Sequence, residues 1–152
     1  DTHLMVTDPT KLIPLFAKAG SNMLTIHLES NGDAKANLAA IRENGMQAGL
    51  AIKPATDWKE VIPYLPLCDM VLVMTVEPGY GGQGFIPECA DKAGKLRKYC
   101  NENGFDEMNI QVDGGINAAT ADTAKKAGAN VLVAGTYLFK AEDMKAATDA
   151  IR

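Results

Sequence analysis

The chain has 152 residues, a formal net charge of -4 at pH 7 and three cysteines. This length allows one domain with a sizeable core but is short for two, so we predict a single domain over residues 1–152. The negative charge argues against a nucleic-acid partner, because such proteins usually carry a basic patch. The odd cysteine count and the lack of any apolar run of about 18 residues argue against a disulfide framework and a membrane span. We therefore expect a cytoplasmic protein.

Short apolar runs alternate with segments of helical periodicity along the chain. The predicted strands, in order, are His3–Val6, Met23–His27, Ala48–Ile52, Met70–Val76, Asn109–Val112 and Val131–Ala134. The predicted helices are Pro9–Ala19, Ala34–Asn44, Trp58–Tyr64, Pro87–Asn103 and Ala118–Ala127. Several helices are followed by a residue that suits a left-handed helix end, namely Gly20, Gly45, Gly104 and Gly128. Asp8, in Thr7-Asp8-Pro9, and Asn117 are predicted helix caps.

The alternation predicts a parallel sheet covered by helices. An open doubly wound sheet and a barrel both have this pattern. No G-x-G-x-x-G follows the first strand, and the glycine-rich loops instead follow the fourth, fifth and sixth strands, which favours the barrel. We therefore predict an α/β fold of the (β/α)8 TIM-barrel family with about six βα units, a partial barrel whose first two units would precede Asp1.

The segment Val76–Gln83, at the end of the fourth predicted strand, contains Gly79, Gly81 and Gly82. Because glycine has no Cβ, the backbone N–H groups of this segment could approach a phosphate closely. A glycine-rich surface turn would have the same composition. The segment is therefore interpreted as either a phosphate cradle or a turn.

Asp113 follows the fifth predicted strand, and Gly114 and Gly115 come directly after it. The C-terminal edge of a barrel carries its chemistry, and phosphate sites recur in the last two βα loops. Gly135 and Thr136, after the sixth strand, are candidates to complete such an anion site. Taken alone, Asp113 has a second interpretation as a turn or helix cap. The three loops together favour a phosphate site beside a carboxylate.

Two histidines and two methionines lie in the predicted strands. His3 and His27 would point either into the barrel, as ligands or acid–base groups, or outward under a helix, and both orientations stay open. Met5 and Met74 are interpreted as packing residues or as an apolar wall beside a substrate. The sequence contains no nucleophile elbow and no Walker loop. These residues indicate a phosphate-binding barrel with a carboxylate, and no named reaction.

Longer motifs resemble the ribulose-phosphate 3-epimerase family, and the likeness runs from end to end of the chain. The segments that carry it are Asp1–Val6, Gly49–Pro54, Val73–Gln83 and Val112–Gly115. Glu77, His27–Glu29 and Ile52–Pro54 resemble eukaryotic members more than the common bacterial ones.

The resemblance implies an isomerase of the pentose phosphate pathway that interconverts D-ribulose 5-phosphate and D-xylulose 5-phosphate by moving a proton at C3. It also implies one divalent metal ion, with zinc, iron, manganese and cobalt all suited to His/Asp ligands. His3 and Asp113 match metal ligands, and Asp113 matches a catalytic proton-transfer residue. The positions that match substrate- or phosphate-binding residues are His3, Met5, Met74, Gly79, Tyr80, Gly81, Gly82, Asp113, Gly114, Gly115, Gly135 and Thr136.

The resemblance places a second-strand histidine and aspartate, which complete the metal site and supply the other base, before Asp1. We therefore expect this chain by itself to bind phosphate weakly and not to epimerise. The open edges of a partial barrel invite pairing with another chain, so a homo-oligomer is expected.

Three alternatives stay open. One is an epimerase of a related ketose phosphate such as allulose 6-phosphate, and another is a decarboxylase or aldolase of the wider ribulose-phosphate-binding barrel group. The third is a non-catalytic module that keeps the phosphate loops without turnover. Substrate competition and metal dependence would separate these alternatives.

Overall fold

The computed structural model describes residues 1–152 and contains one parallel sheet of six strands. The strands are β1 Thr2–Leu4, β2 Met23–His27, β3 Gln47–Ile52, β4 Met70–Met74, β5 Asn109–Asp113 and β6 Val131–Val133. Each strand pairs with the next one along the chain, and all pairs are parallel. The sheet curls into an open half-barrel, which confirms the predicted partial barrel of the (β/α)8 TIM-barrel family.

The α-helices between the strands are α1 Ile13–Lys18, α2 Ala34–Glu43, α3 Pro87–Glu102 and α4 Ala118–Ala127, and two more follow β6, namely α5 Gly135–Phe139 and α6 Met144–Ile151. The predicted α-helix Trp58–Tyr64 is wrong in type, since this connection is a 3-10 helix that runs from Trp58 to Leu67. Pro63 and Pro66 lie inside it and lack the N–H that an α-helical ladder needs. The sequence did not predict α5 and α6. No helix combines the length and the hydropathy that a membrane crossing requires.

The predicted cap Asn117 is confirmed, because its side chain accepts hydrogen bonds from two backbone N–H groups at the start of α4. The predicted start of α1 is wrong. The helix begins at Ile13, and Asp8 instead accepts a bond of 3.0 Å from the Thr10 N–H in a local turn. Such turns compete with helix formation. Positive φ angles are found at each predicted helix-ending glycine, namely Gly20, Gly45, Gly104 and Gly128.

Strand register decides which side chains face the interior of the half-barrel. His3 pairs with Thr25, and Met74 pairs with Asp113. Alternate residues of a strand face opposite sides. One buried cluster, between sheet and helices, includes Leu4, Ile26, Leu50, Val73 and Val112, and a separate inner cluster contains Ala51, Leu72, Met74 and Val76. His3 and Asp113 therefore belong to the inner face.

Candidate functional site

A cavity of about 760 Å³ lies at the carboxyl ends of β4, β5 and β6. Every predicted substrate residue except His3 lines it, namely Met5, Met74, Gly79, Tyr80, Gly81, Gly82, Asp113, Gly114, Gly115, Gly135 and Thr136. Residues that the sequence analysis did not select, including Gln83, Phe85 and Thr120, line it as well. The three predicted loops thus meet at one concave surface, on the edge where barrels carry their chemistry.

The two predicted methionines lie at different depths in this wall. Met74 is 1% exposed and belongs to the inner cluster, whereas Met5 is 49% exposed. Both thioethers line the cavity. Met74 therefore both packs in the core and forms part of the apolar wall, so its two interpretations are compatible.

The loop after β4 is held by the side chain of Gln83. Its Nε2 donates hydrogen bonds to the carbonyls of Glu77, at 2.7 Å, and Tyr80, at 2.9 Å. Gly79 and Gly82 have φ angles of 143° and 82°, and a Cβ at either would have open space around it. The backbone of this loop is therefore both fixed in shape and open to a ligand.

The loop after β5 packs tightly against the loop after β4. A Cβ on Gly114 would lie 2.8 Å from the backbone nitrogen of Val76, and one on Gly115 would lie 2.5 Å from that of Phe85. The Thr75 hydroxyl adds a buried hydrogen bond of 2.7 Å to the Gly114 carbonyl. These two glycines are thus required for loop packing, whatever ligand the loops bind.

The third predicted loop opens helix α5. Gly135 is its first residue, and the first N–H groups of a helix have no partner within the helix. Gly135 and Thr136 are exposed at the cavity wall, and a Cβ on Gly81 would lie 3.5 Å from the Thr136 hydroxyl. The loops after β4 and β6 therefore meet, and backbone N–H groups with a hydroxyl are suited to an anion.

His3 reaches Asp113 across the interior of the curled sheet. His3 Nδ1 lies 3.6 Å from Asp113 Oδ2, and the two side chains are 14% and 23% exposed. A second contact across the interior joins Gln111 Nε2 to Asp1 Oδ2 at 2.8 Å. His3 does not line the cavity and lies behind Asp113, which does. Of its two possible orientations, His3 takes the inward one.

The His3–Asp113 pair fits part of a metal site. His3 Nδ1 is buried and has no hydrogen-bond partner, and 3.6 Å is too long for a hydrogen bond to the carboxylate. An imidazole nitrogen and a carboxylate oxygen are ligands for zinc, iron, manganese and cobalt. No third His, Cys, Asp or Glu within residues 1–152 is placed to bind the same metal ion. The two side chains are thus chemically suited to bind a metal ion together with further ligands.

His27 and Glu29 extend this pair into a network. His27 is 5% exposed, and its Nε2 lies 2.9 Å from His3 Nε2. Its Nδ1 lies 3.1 Å from Glu29 Oε2. The sequence analysis did not select Glu29 as a site residue. The only signal in the sequence was that Glu29 follows His27 by two residues, in the turn directly after β2.

Comparisons with known proteins agree with this geometry. A model described as "Ribulose-phosphate 3 epimerase family" matches residues 1–139. The ribulose-phosphate 3-epimerase of Candida glabrata is 48% identical over 143 residues, which cover 94% of this chain and 56% of that protein. Those of Schizosaccharomyces pombe and Synechocystis sp. are 41% and 40% identical, and the matches cover 100% of this chain but 64% and 66% of those proteins. The chain thus spans between 56% and 66% of the length of these relatives.

Solved structures resemble the chain in fold. A 3-hexulose-6-phosphate synthase from Salmonella typhimurium superposes with a TM-score of 0.69 at 20% identity, covering 96% of this chain and 67% of that one. An HpcH/HpaI aldolase from Desulfitobacterium hafniense has a TM-score of 0.56 at 11% identity, covering 98% and 70%. These neighbours are TIM-barrel enzymes, and at such identities they support the fold alone.

Proposed function

The chain belongs to the ribulose-phosphate 3-epimerase family, and on this premise we propose that it forms part of an enzyme that interconverts D-ribulose 5-phosphate and D-xylulose 5-phosphate. This reaction belongs to the pentose phosphate pathway. The observation that carries the proposal is the Asp113 carboxylate in the wall of a cavity whose loops are rich in glycine. A carboxylate within reach of a bound sugar is suited to take a proton from a carbon next to a carbonyl.

The phosphate group would be bound by backbone N–H groups of the three loops. The segments that we assign to it are Gly79–Gly82, Gly114–Gly115 and Gly135–Thr136. Met5, Met74 and Tyr80 would contact the sugar. A volume of about 760 Å³ is within the range of pockets that enclose small ligands.

Asp113 would take or return the C3 proton on one face of the sugar. His3 and Asp113 would also hold a divalent ion, and the chemistry that a bound ion supplies is stabilisation of the negative charge developing on substrate oxygens. Epimerisation further needs a second proton-transfer group on the opposite face of the sugar. We assign transfer on one face to Asp113.

Calorimetric binding of D-ribulose 5-phosphate, with inorganic phosphate as competitor, tests the substrate assignment. We expect the sugar phosphate to bind, phosphate to displace it, and Asp113→Asn to bind with similar affinity because the loops are unchanged. Tighter binding of allulose 6-phosphate than of D-ribulose 5-phosphate would contradict the assignment.

A second candidate function is phosphate binding without turnover. It is favoured by one observation, the lack of a third ligand beside His3 and Asp113. Two protein ligands would hold a catalytic ion weakly, since catalytic zinc sites usually have three. Substrate binding without any exchange of the C3 proton, even with added metal, would support this candidate.

Four expectations from the sequence stay proposals. They are a single domain over residues 1–152, a cytoplasmic location, a homo-oligomer and the lack of a nucleic-acid partner. One continuous sheet supports the first, and the net charge of -4 supports the last.

A further inference from the structure

A hydrogen-bonded row of side chains leads from the surface to the His3–Asp113 pair. His27 uses both of its ring nitrogens in this row. Its Nδ1 contacts Glu29, and its Nε2 contacts His3. The two ring centroids lie 4.9 Å apart and the rings are inclined by 29°. With a contact of 2.9 Å between Nε2 atoms, the rings must meet edge to edge, as a hydrogen bond between ring nitrogens requires.

The outer end of the row is a carboxylate. Burial opposes ionisation of Glu29, but hydrogen bonds from His27, from the Lys53 N–H and from the Thr56 hydroxyl outweigh it and lower the pKa of Glu29 to about 2. An ionised carboxylate only accepts hydrogen bonds. The contact of 3.1 Å therefore requires a hydrogen on His27 Nδ1.

The direction of the remaining bonds follows from this end. A doubly protonated His27 would donate from Nε2 and force the hydrogen of His3 onto Nδ1, which is buried and has no hydrogen-bond partner. The geometry therefore fits a neutral His27, whose Nδ1 donates and whose Nε2 accepts. The bond of 2.9 Å then requires that His3 Nε2 carries the hydrogen, which leaves His3 Nδ1 with a lone pair. This agrees with the structure, because an N–H at Nδ1 would be a buried donor standing 3.6 Å from a carboxylate without bonding to it.

We propose that Glu29 and His27 are positioning residues that fix His3 in the tautomer whose bare Nδ1 faces Asp113. Two acceptors, Nδ1 and Oδ2, then face each other across 3.6 Å, an arrangement that a cation between them would stabilise. Partners behind a metal-binding histidine typically change metal affinity by about 10- to 100-fold. The inference rests on the proposed function only in its use of a metal, and the tautomer itself does not depend on it.

Long-range proton–nitrogen NMR correlation of the metal-free protein tests the proposal directly. The chain contains only two histidines, so four side-chain nitrogens have to be assigned. We expect His3 with hydrogen on Nε2 and His27 with hydrogen on Nδ1. The opposite tautomer of His3, or a doubly protonated His27, would overturn the proposal, and this measurement needs no variant.

The role of Glu29 is tested with Glu29→Gln, with Glu43→Gln as a matched control on the exposed face of α2. We expect Glu29→Gln to give a mixture of His3 tautomers and about 10- to 100-fold weaker zinc binding, and Glu43→Gln to change neither. An unchanged His3 tautomer in Glu29→Gln would overturn the role of Glu29. Failure of wild-type protein to bind zinc, with the expected tautomer present, would instead count against the proposed metal site.

Discussion

His3 Nδ1 and Asp113 Oδ2 lie 3.6 Å apart, although three strands separate β1 from β5 in the sheet. Curling of the sheet brings these inner-face side chains together. The contact joins the strand that carries a candidate metal ligand to the strand that carries the candidate acid–base group. The half-barrel thus brings together two residues of the candidate site that are 110 positions apart in the chain.

Zinc titration tests this pair. His3→Gln removes the imidazole nitrogen that faces Asp113, so we expect it to weaken zinc binding by at least 10-fold, measured by calorimetry. The thiols should not compete, because burial raises the pKa of Cys68 to about 12 and raises those of Cys89 and Cys100 above their usual value. Unchanged zinc affinity in His3→Gln would show that the ion binds elsewhere.

Gly49→Ala should destabilise the sheet. A Cβ there would collide with the Thr25 hydroxyl of the neighbouring strand and lie 3.0 Å from Thr25 Cβ. Overpacking of this kind costs about 1–3 kcal/mol of unfolding free energy, measurable by urea denaturation. The double variant Thr25→Ala/Gly49→Ala should recover part of the loss. Gly84→Ala, where a Cβ has open space, is the control, and an equal loss there would contradict the collision.

Lys92→Met should loosen the loop that holds Glu29. The Lys92 ammonium donates hydrogen bonds of 2.6 Å to the carbonyls of both Pro54 and Thr56, in the segment after β3. Each hydrogen bond to a charged group contributes at most about 1.5–3 kcal/mol to stability. We therefore expect Lys92→Met to lower the unfolding free energy, measured by urea denaturation, by about 1–3 kcal/mol. Exposed Lys95→Met on the same helix should have almost no effect.

Glu29 should contribute stability that depends on pH. Its pKa is about 2 in the folded protein, below its ordinary value of 4.5. A group whose pKa is lowered by folding stabilises the folded state at pH values above its pKa in the unfolded chain. This stabilisation is lost as the pH falls toward its pKa in the folded protein. The difference in unfolding free energy between wild type and Glu29→Gln should therefore be constant above about pH 5.5 and shrink below pH 4.5. Urea titrations down to pH 3 measure it, and a difference that grows toward acid would contradict the assignment.

The sequence predicted strands well where they are continuous apolar runs, as in β4, which is buried along its whole length. The prediction failed where local hydrogen bonds or prolines compete with the formation of an α-helix. Asp8 bonds the Thr10 N–H and delays α1, and Pro63 with Pro66 turns the next connection into a 3-10 helix. Such outcomes depend on single hydrogen bonds, to which hydrophobic periodicity is insensitive.

The candidate site was predictable in its loops but not in its inner contacts. Nearly every substrate residue that glycine spacing and the resemblance selected lines the cavity. The inward orientation of His3 required the register of β1 against β2, and the Glu29 network depends on Lys53 and Thr56, which are at least 24 residues further along the chain. Long-range partners of this kind leave no local pattern.

Deuterium incorporation at C3 of D-ribulose 5-phosphate in heavy water, with added zinc or manganese, tests the central claim most directly. We expect wild-type protein to exchange the C3 proton, and Asp113→Asn to exchange it at least about 100-fold more slowly, the range that a general acid–base residue contributes. Asp91→Asn, on the exposed face of α3, should exchange like wild type. Equal exchange by wild type and Asp113→Asn would contradict the role of Asp113 in proton transfer.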